Sequence, residues 1–180
     1  MSETKTMIRF FTIADFEEEE LWLREQHNRG WKLKNAAVFL YTFERCTPED
    51  VIYRLDYKNS EEAEDYFQLS RDYGWEYFDR NAGWLYFRKP AAALASEAEG
   101  EIFSDGLSKL DMVKQVVVTR LLPLLVIFLC CLLPSWLRLF DEGIFNAVSY
   151  VLYALVLLYI WLLVYCGIKL TKLRKKYEEQ

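Results

Sequence analysis

Large apolar or aromatic side chains recur at every second position along short segments in the first half of the chain. Residues 51–57 follow this period of two, and residues 8–13 are rich in β-favouring side chains. Aromatic-rich runs follow at 38–45 and 84–89, and Asn-Ala-Gly at 81–83 is typical of a turn. These segments predict β-strands.

Two segments between the predicted strands have the signals of short helices. Asp15 and Asn59 are good N-caps, and a glutamate follows each of them three residues later, as in a capping box. Gly30 and Gly74 stand where a left-handed residue would close each helix. We therefore predict one helix of about 14 residues in each segment.

The two predicted helices belong to an internal repeat with an offset of 44 residues. The matched segments, in chain order, are Trp22-Leu23 with Tyr66-Phe67, Gly30-Trp31 with Gly74-Trp75, and Phe43-Glu44-Arg45 with Phe87-Arg88-Lys89. Each repeat, about 7–45 and 51–89, then has the order β-α-β-β. We predict a duplicated α+β domain over residues 1–89, ferredoxin-like or related, with one antiparallel sheet of about six strands and two helices on one face.

Long apolar runs replace these short periods in the second half of the chain. Residues 116–136 contain one charge and residues 147–168 contain none, and about 20 such residues match the roughly 30 Å hydrocarbon core of a bilayer. The alternative is a pair of helices buried in a water-soluble core. We predict two transmembrane helices joined as a hairpin by residues 137–146, preceded by an acidic linker and juxtamembrane segment at 90–115.

Charge is distributed unevenly around these runs. The first 108 residues carry a net charge of −9, whereas residues 109–180 carry nine basic and five acidic side chains, which gives −5 for the whole chain. Because basic flanks favour the cytoplasmic side, the chain is predicted to be a multi-pass cell-membrane protein with both termini in the cytosol. The residues predicted to anchor it at the bilayer are Arg120, at the start of the first run, and Lys169, Lys172, Arg174, Lys175 and Lys176 in the basic tail 169–180.

Aromatic side chains on the predicted strands have two interpretations. Trp84, Tyr86, Phe39 and Tyr41 could form a face that binds a ligand or a protein partner. They could equally belong to the core, because a domain of about 90 residues needs large aromatics to bury enough surface. For Trp31 and Trp75, which the repeat matches to each other, we favour the core.

Few residues in the sequence are typical of catalytic, metal-binding or cofactor-binding sites. The single histidine, His27, is expected to be an exposed or helix-terminal residue, and the acidic run 17–20 a solvated helix N-terminus. No P-loop, GxGxxG, CxxC or HExxH motif is present. We therefore predict no catalytic residues, no metal and no cofactor, and the acidic domain argues against binding of nucleic acid.

Several of these segments together resemble a known family. They are Gly30-Trp31-Lys32-Leu33, Tyr53-Arg54-Leu55-Asp56-Tyr57, Tyr73-Gly74-Trp75-Glu76 and Trp84-Leu85-Tyr86-Phe87-Arg88-Lys89. In this order, over residues 7 to 90, they resemble a bacterial domain-of-unknown-function family, number 2812. The resemblance implies C-terminal transmembrane helices and a frequent neighbour, a PadR-like transcriptional regulator, but no activity.

The sequence favours a membrane-anchored, non-enzymatic binding or sensory module. The lipid bilayer is one expected partner, and a protein partner or a second copy of the chain is another; a small hydrophobic ligand is a further candidate. The alternatives are an accessory subunit of a membrane transporter or efflux system and an unrecognised enzyme.

Overall fold

The structure is a computed structural model, which describes residues 3–37, 39–58, 64–94, 100, 102, 106–134, 137–138 and 147–178. The chain divides into two compact units, Met1–Met112 and Val113–Gln180. The first unit contains the strands and two short helices, and the second contains most of the long apolar helices. The protein is thus an α+β unit followed by a helical one.

The first half of the α+β unit is a three-stranded antiparallel sheet with one helix. Strand β1 (Thr4–Ile8) leads to helix α1 (Phe16–Asn28), and strands β2 (Trp31–Ala37) and β3 (Leu40–Arg45) follow. The order in this first sheet is β1-β3-β2. Helix α1 packs on it through Trp22, whose indole makes edge contacts with the rings of Tyr41 and Phe43 at centroid distances of 5.0 and 5.6 Å.

The second half repeats this arrangement. Strand β4 (Val51–Tyr57), helix α2 (Glu64–Asp72), and strands β5 (Glu76–Asn81) and β6 (Trp84–Pro90) form a second sheet in the order β4-β6-β5. Tyr66 of α2 contacts Phe87 edge to face, as Trp22 of α1 contacts Phe43. The core under α2 is formed by Ile52, Trp75, Leu85 and Phe87, against which Leu94 and Ile102 of the acidic linker also pack.

The offset of 44 residues extends from the sequence to the backbone. Helix α1 ends at Asn28 and α2 at Asp72, and the register of each sheet shifts once, between Leu33 and Asn35 in β2 and between Tyr77 and Asp79 in β5. Gly30 and Gly74, which close the helices as predicted, have positive φ angles of 82° and 81°. These correspondences support the predicted duplication.

The predicted single sheet of about six strands is wrong, because the strands form two separate sheets of three. Strands β2 and β5 lie side by side but make no ladder; side chains join them instead. The Asp79 carboxylate accepts a 2.6 Å hydrogen bond from the backbone N–H of Ala36, and the Arg88 guanidinium donates to the carbonyl of Leu33 at 3.2 Å.

Helix α1 contacts both sheets, so the second sheet is covered on both faces. Tyr86 on β6 and Tyr53 on β4 face α1, whereas Leu85 and Phe87 face α2. Six of the seven residues of β4 are buried, as expected for a strand with neighbours on both sides. The single-sheet prediction required both helices to lie on one common face. In the structure they do not.

The predicted N-cap hydrogen bond is not made at the start of α1. Asp15 is the N-cap of α1, but its carboxylate makes no cap hydrogen bond and instead accepts from the N–H and hydroxyl of Thr12 at 2.7 and 2.6 Å. The matching residues of the second repeat, Asn59 and Glu62, lie outside the described residues.

The predicted turn at residues 81–83 joins β5 to β6 through two residues with positive φ, Ala82 at 49° and Gly83 at 88°. A Cβ at Gly83 would lie 2.8 Å from Cε2 of the buried Tyr57 ring.

We expect Gly83→Ala to lower the free energy of unfolding by about 2 kcal/mol, from the left-handed backbone and the ring contact together. Thermal denaturation of the full chain in detergent would measure this.

The control is Ala82→Gly, at the neighbouring position. Glycine adopts positive φ without the strain that the Cβ of alanine causes. We therefore expect the free energy of unfolding to stay unchanged or to rise by up to about 1 kcal/mol. Equal stabilities for the two variants would contradict the assigned turn.

The second unit consists of two apolar helical segments. Helix α3 (Gly106–Val116) continues through a π-helical segment (Val117–Leu121) into helix α4 (Leu122–Ile127) and a second π-helical segment (Phe128–Leu132). Pro123 lies two residues after the end of the first π-helical segment; a proline cannot donate the regular helical hydrogen bond, and local irregularity of this kind accommodates it. Helix α5 (Ala147–Glu178) packs on this segment, with the rings of Phe128 and Tyr159 stacked at 5.6 Å.

Candidate functional site

The interior of the α+β unit contains a carboxylate between the two sheets. Glu19 of α1 is 7% exposed, and its Oε1 accepts hydrogen bonds from the hydroxyls of Tyr41 on β3 and Tyr86 on β6, at 2.9 and 2.7 Å. The two tyrosines come from different sheets. One carboxylate oxygen therefore links the first sheet, α1 and the second sheet.

Burial dominates the protonation of this cluster. It raises the pKa of Glu19, although the two tyrosine hydroxyls, which stabilise the ionised form, oppose the shift. Burial and the neighbouring carboxylate also raise the pKa values of Tyr41 and Tyr86. Both hydroxyls consequently remain protonated donors, and neither is set up as a nucleophile or a general base.

A second buried polar cluster lies at the C-terminal end of α1. Nδ1 of His27 is 2.8 Å from the hydroxyl of Tyr53 on β4. Arg88 forms a two-bond pair with the Glu76 carboxylate, at 2.7 and 2.5 Å, and its guanidinium lies 4.6 Å from the centroid of the Phe78 ring. Burial first, and then the charge of Arg88, lowers the pKa of His27 to about 4.

His27 was expected to be exposed or helix-terminal. It does lie at the end of α1, but it is only 5% exposed. The acidic run was expected to be solvated, which holds for Glu18, whereas Glu19 and Glu20 are buried. The signal that could have found them is the helical spacing of Phe16, Leu23 and His27, which share one face of α1 with these two glutamates.

Carboxylates also cover the sheet edges. Oε1 of Glu20 accepts the backbone N–H of Leu55 on β4 at 2.8 Å, and its Oε2 lies 3.2 Å from the Arg54 guanidinium. The Asp79 carboxylate likewise accepts the backbone N–H of Ala36 on β2. Unpaired edge strands favour association with other chains, and these contacts remove that opportunity from β4 and β2.

The four residues predicted as a binding face are divided by the structure. Tyr41 and Tyr86 are each 2% exposed and engaged with Glu19, so they lie inside. Trp84 is half-buried between the rings of Phe16 and Tyr57, at centroid distances of 5.3 and 5.2 Å. Phe39 is 46% exposed and is the member of the four that lies at the surface.

Phe39 lies in a group of exposed apolar side chains at one end of the first sheet. Ile8 is paired with Leu40 across the β1–β3 ladder, and the rings of Phe10 and Phe39 are 6.5 Å apart. We call this surface, formed by Ile8, Phe10, Phe39 and Leu40, the apolar end; its members are 81%, 63%, 46% and 45% exposed. Clustered exposed apolar residues indicate contact with a partner more often than single ones do.

Comparison with known proteins finds a match to one family model, Protein of unknown function (DUF2812), over residues 15–127. The chain belongs to the DUF2812 family. The family resemblance seen in the sequence is thereby confirmed. No curated protein and no solved structure matches the chain.

The DUF2812 match begins at the N-cap of α1 and ends with α4, so it includes both buried polar clusters and part of the first apolar helical segment. Strand β1 and helix α5 lie outside it. The polar interior is therefore within the region that defines the family, while the edge formed by β1 is not.

Within the described part of this DUF2812 protein, two helical segments are long and apolar enough to cross a membrane. They are Lys109–Cys130 and Tyr153–Tyr177. The most apolar stretch of each has a mean hydropathy of 2.0, and only 17% of it is buried. Core helices of a water-soluble protein would be mostly buried, and these two segments are not. Of the predicted anchors, Lys172, Arg174, Lys175 and Lys176 are exposed in the last turns of α5, and Lys169 and Arg120 are half-buried.

The described residues contain few groups that could bind a metal or react as a thiol. Among them, no group of three or more His, Cys, Asp or Glu side chains could hold a metal ion. Cys46, Cys130 and Cys166 are free thiols, and burial raises the pKa of Cys46.

Proposed function

We propose that this protein is a membrane-anchored, non-enzymatic binding module, in which the α+β unit binds a protein partner through the apolar end. The observation that carries the proposal is the exposure of Ile8, Phe10, Phe39 and Leu40 on a unit whose other strand aromatics are largely buried. A small unit that needs apolar burial gains nothing in its own stability from leaving these four side chains in water.

The interior supports binding rather than catalysis. Three of its buried polar groups are engaged with partners: Glu19 with two tyrosines, His27 with Tyr53, and Arg88 with the exposed Glu76. Groups used in this way hold elements together and are not directed at a substrate. The duplicated α+β unit is then a rigid support for the surface that binds.

The apolar helices serve as the anchor in this proposal. Both termini lie in the cytosol, as the basic residues at the start of the first span and in the tail after the second span favour. The exposed basic side chains at the end of α5 would contribute about 1 kcal/mol each near an anionic leaflet. The partner is accordingly a cytosolic protein or the cytosolic part of a membrane protein.

Affinity purification of the full chain from native membranes tests this function. We expect a stoichiometric partner to be recovered with the native chain, and its recovery to fall at least about tenfold with the double variant Phe10→Ser and Phe39→Ser. Leu21→Ser is the matched control, because Leu21 is 64% exposed on α1 and lies outside the apolar end. Equal recovery with all three chains would refute a role for the apolar end.

A second arm separates the module from the accessory-subunit alternative. Residues 109–180 are exchanged for an unrelated pair of membrane helices, and recovery of the partner is measured again. Retention of the partner supports binding by the α+β unit. Loss of the partner after this exchange, with retention in the Phe10→Ser and Phe39→Ser variant, would instead support a subunit that binds through its spans.

A further inference from the structure

Strand β1 has an open edge whose hydrogen-bonding groups can be assigned. The carbonyl of Glu3 accepts from the N–H of Arg45 at 2.8 Å, and the N–H of Arg9 donates to the carbonyl of Phe39 at 3.0 Å. Both residues therefore direct their backbone groups toward β3. Because this direction alternates along a strand, Thr4, Thr6 and Ile8 direct theirs away from β3, to the outer edge.

The other three outer edges of the two sheets are covered. Strands β2 and β5 lie beside each other with Asp79 between them, and β4 lies beside α1 with Glu20 bound to its outward N–H at Leu55. Among the described residues, no strand pairs with the outer edge of β1. Its five residues also contain neither a proline nor a register shift, the features that commonly prevent pairing at an edge.

We propose that β1 pairs in antiparallel fashion with β1 of a second copy of this chain, joining the two first sheets into one sheet of six strands. In the register that we infer, Thr6 faces Thr6 of the second copy on the twofold axis, and Thr4 faces Ile8. All three outward-directed residues then exchange backbone hydrogen bonds with outward-directed residues of the other copy.

Charge selects this register over its neighbours. It places Glu3 opposite Arg9 of the second copy, and by symmetry Arg9 opposite Glu3. These are non-hydrogen-bonded positions, where Cα atoms of facing residues approach to about 4.5 Å and side chains interact most closely. Two ion pairs form across the dyad once the Arg9 guanidinium turns away from the rings of Phe11 and Trp22, which lie 5.2 and 5.0 Å from it in the single chain. A shift by two residues in either direction removes both ion pairs and leaves an outward group of β1 without its counterpart.

The edge also carries little to prevent association. Its one lysine, Lys5, is directed along the sheet, with its ammonium 5.1 Å from the centroid of the Trp31 ring. Ile8, at 81% exposure, would be covered by Thr4 of the second copy. An interface of this length is small, and confinement of both copies to one membrane would raise their effective concentration. The pairing shares Ile8 with the apolar end, but its main test changes Thr6 whereas the partner test changes Phe10 and Phe39, so either proposal can fail alone.

Disulfide trapping of the full chain in native membranes tests the register. With Thr6→Cys, mild oxidation should yield a covalent dimer at least about fivefold above the native chain, because facing Cα atoms at about 5.5 Å lie within disulfide range. Thr6 is exposed, so the substitution leaves the fold intact. Thr4→Cys with Ile8→Cys in one chain should also yield dimers.

The matched control is Ile8→Cys alone, which should stay at the level of the native chain. In this register two copies of Ile8 are four residues out of line, or about 13 Å apart along the strand. Failure of Thr6→Cys to trap a dimer, or equal trapping by Ile8→Cys, would overturn the proposal. A disulfide between Thr6→Cys and a different protein would also overturn it, and would identify β1 as an edge for a foreign strand.

Charge reversal provides an independent arm. Glu3→Arg in the Thr6→Cys chain should lower the dimer yield severalfold, because it places two positive charges opposite each other twice. Adding Arg9→Glu should restore the yield. An unchanged yield with Glu3→Arg would refute the inferred register.

Discussion

Glu19→Ala should lower the free energy of unfolding by about 3 kcal/mol, one of the two largest effects expected of any change in the α+β unit. The substitution removes the acceptor shared by Tyr41 and Tyr86, which leaves two buried hydroxyls without it, and opens a cavity between the two sheets. Thermal unfolding of the full chain in detergent should show Tm falling by more than about 10 °C.

Glu19→Gln is the control for this prediction. Its amide oxygen can accept from the same hydroxyls, and it avoids burying a carboxylate whose pKa burial already raises. We expect it to cost less than half as much as Glu19→Ala. If the alanine variant were as stable as the native chain, Glu19 would not be the link between the sheets.

The local elements were predictable because their signals are local. The glycines at positions 30 and 74, the turn at 81–83 and the period of two in β4 depend on residues that are neighbours in sequence, and the structure has each of them. The pairing of strands was not predictable in the same way. Whether β2 and β5 form a ladder depends on contacts such as Asp79 with Ala36, which are 43 residues apart.

The candidate binding face shows the same division. Tyr86 and Trp84 alternate on one strand, so the sequence places them on one face, but it does not show that α1 covers that face. The reason is Glu19. A glutamate near the start of a helix suggests a solvated surface, whereas here two tyrosine hydroxyls donate hydrogen bonds to its carboxylate in the interior. A buried carboxylate with partners from two sheets leaves no signal in a single sequence beyond its position on the apolar face of the helix.

The apolar helices were the easiest feature to predict, and their exposure agrees with the sequence. Two windows with mean hydropathy 2.0 correspond to the predicted spans, although the helical segments begin and end several residues away from the predicted limits. Helix α5 begins at Ala147, the predicted start of the second run, and continues past the predicted end through Lys172 to Lys176.

Acidification should destabilise the α+β unit through His27. Because burial and Arg88 lower the pKa of His27 to about 4 in the folded state, the folded protein keeps the imidazole neutral where an unfolded chain, with an ordinary pKa of about 6.5, binds a proton. The contribution is fully present above pH 6.5 and is lost as the pH falls toward 4. Between pH 7.5 and pH 5 we expect a loss of about 2 kcal/mol, measured by urea unfolding of the full chain in detergent.

His27→Asn isolates this effect, because the shorter amide can reach the Tyr53 hydroxyl from the position of Nδ1 but does not titrate. Between pH 7.5 and pH 5 the native chain should lose about 2 kcal/mol more stability than the variant. Glu19, whose raised pKa acts in the opposite direction, is present in both chains and cancels in the comparison. The ion-paired Glu76 and Asp50, whose pKa values are lowered, titrate below this window. The same pH slope in both proteins would show that His27 is not held neutral in the fold.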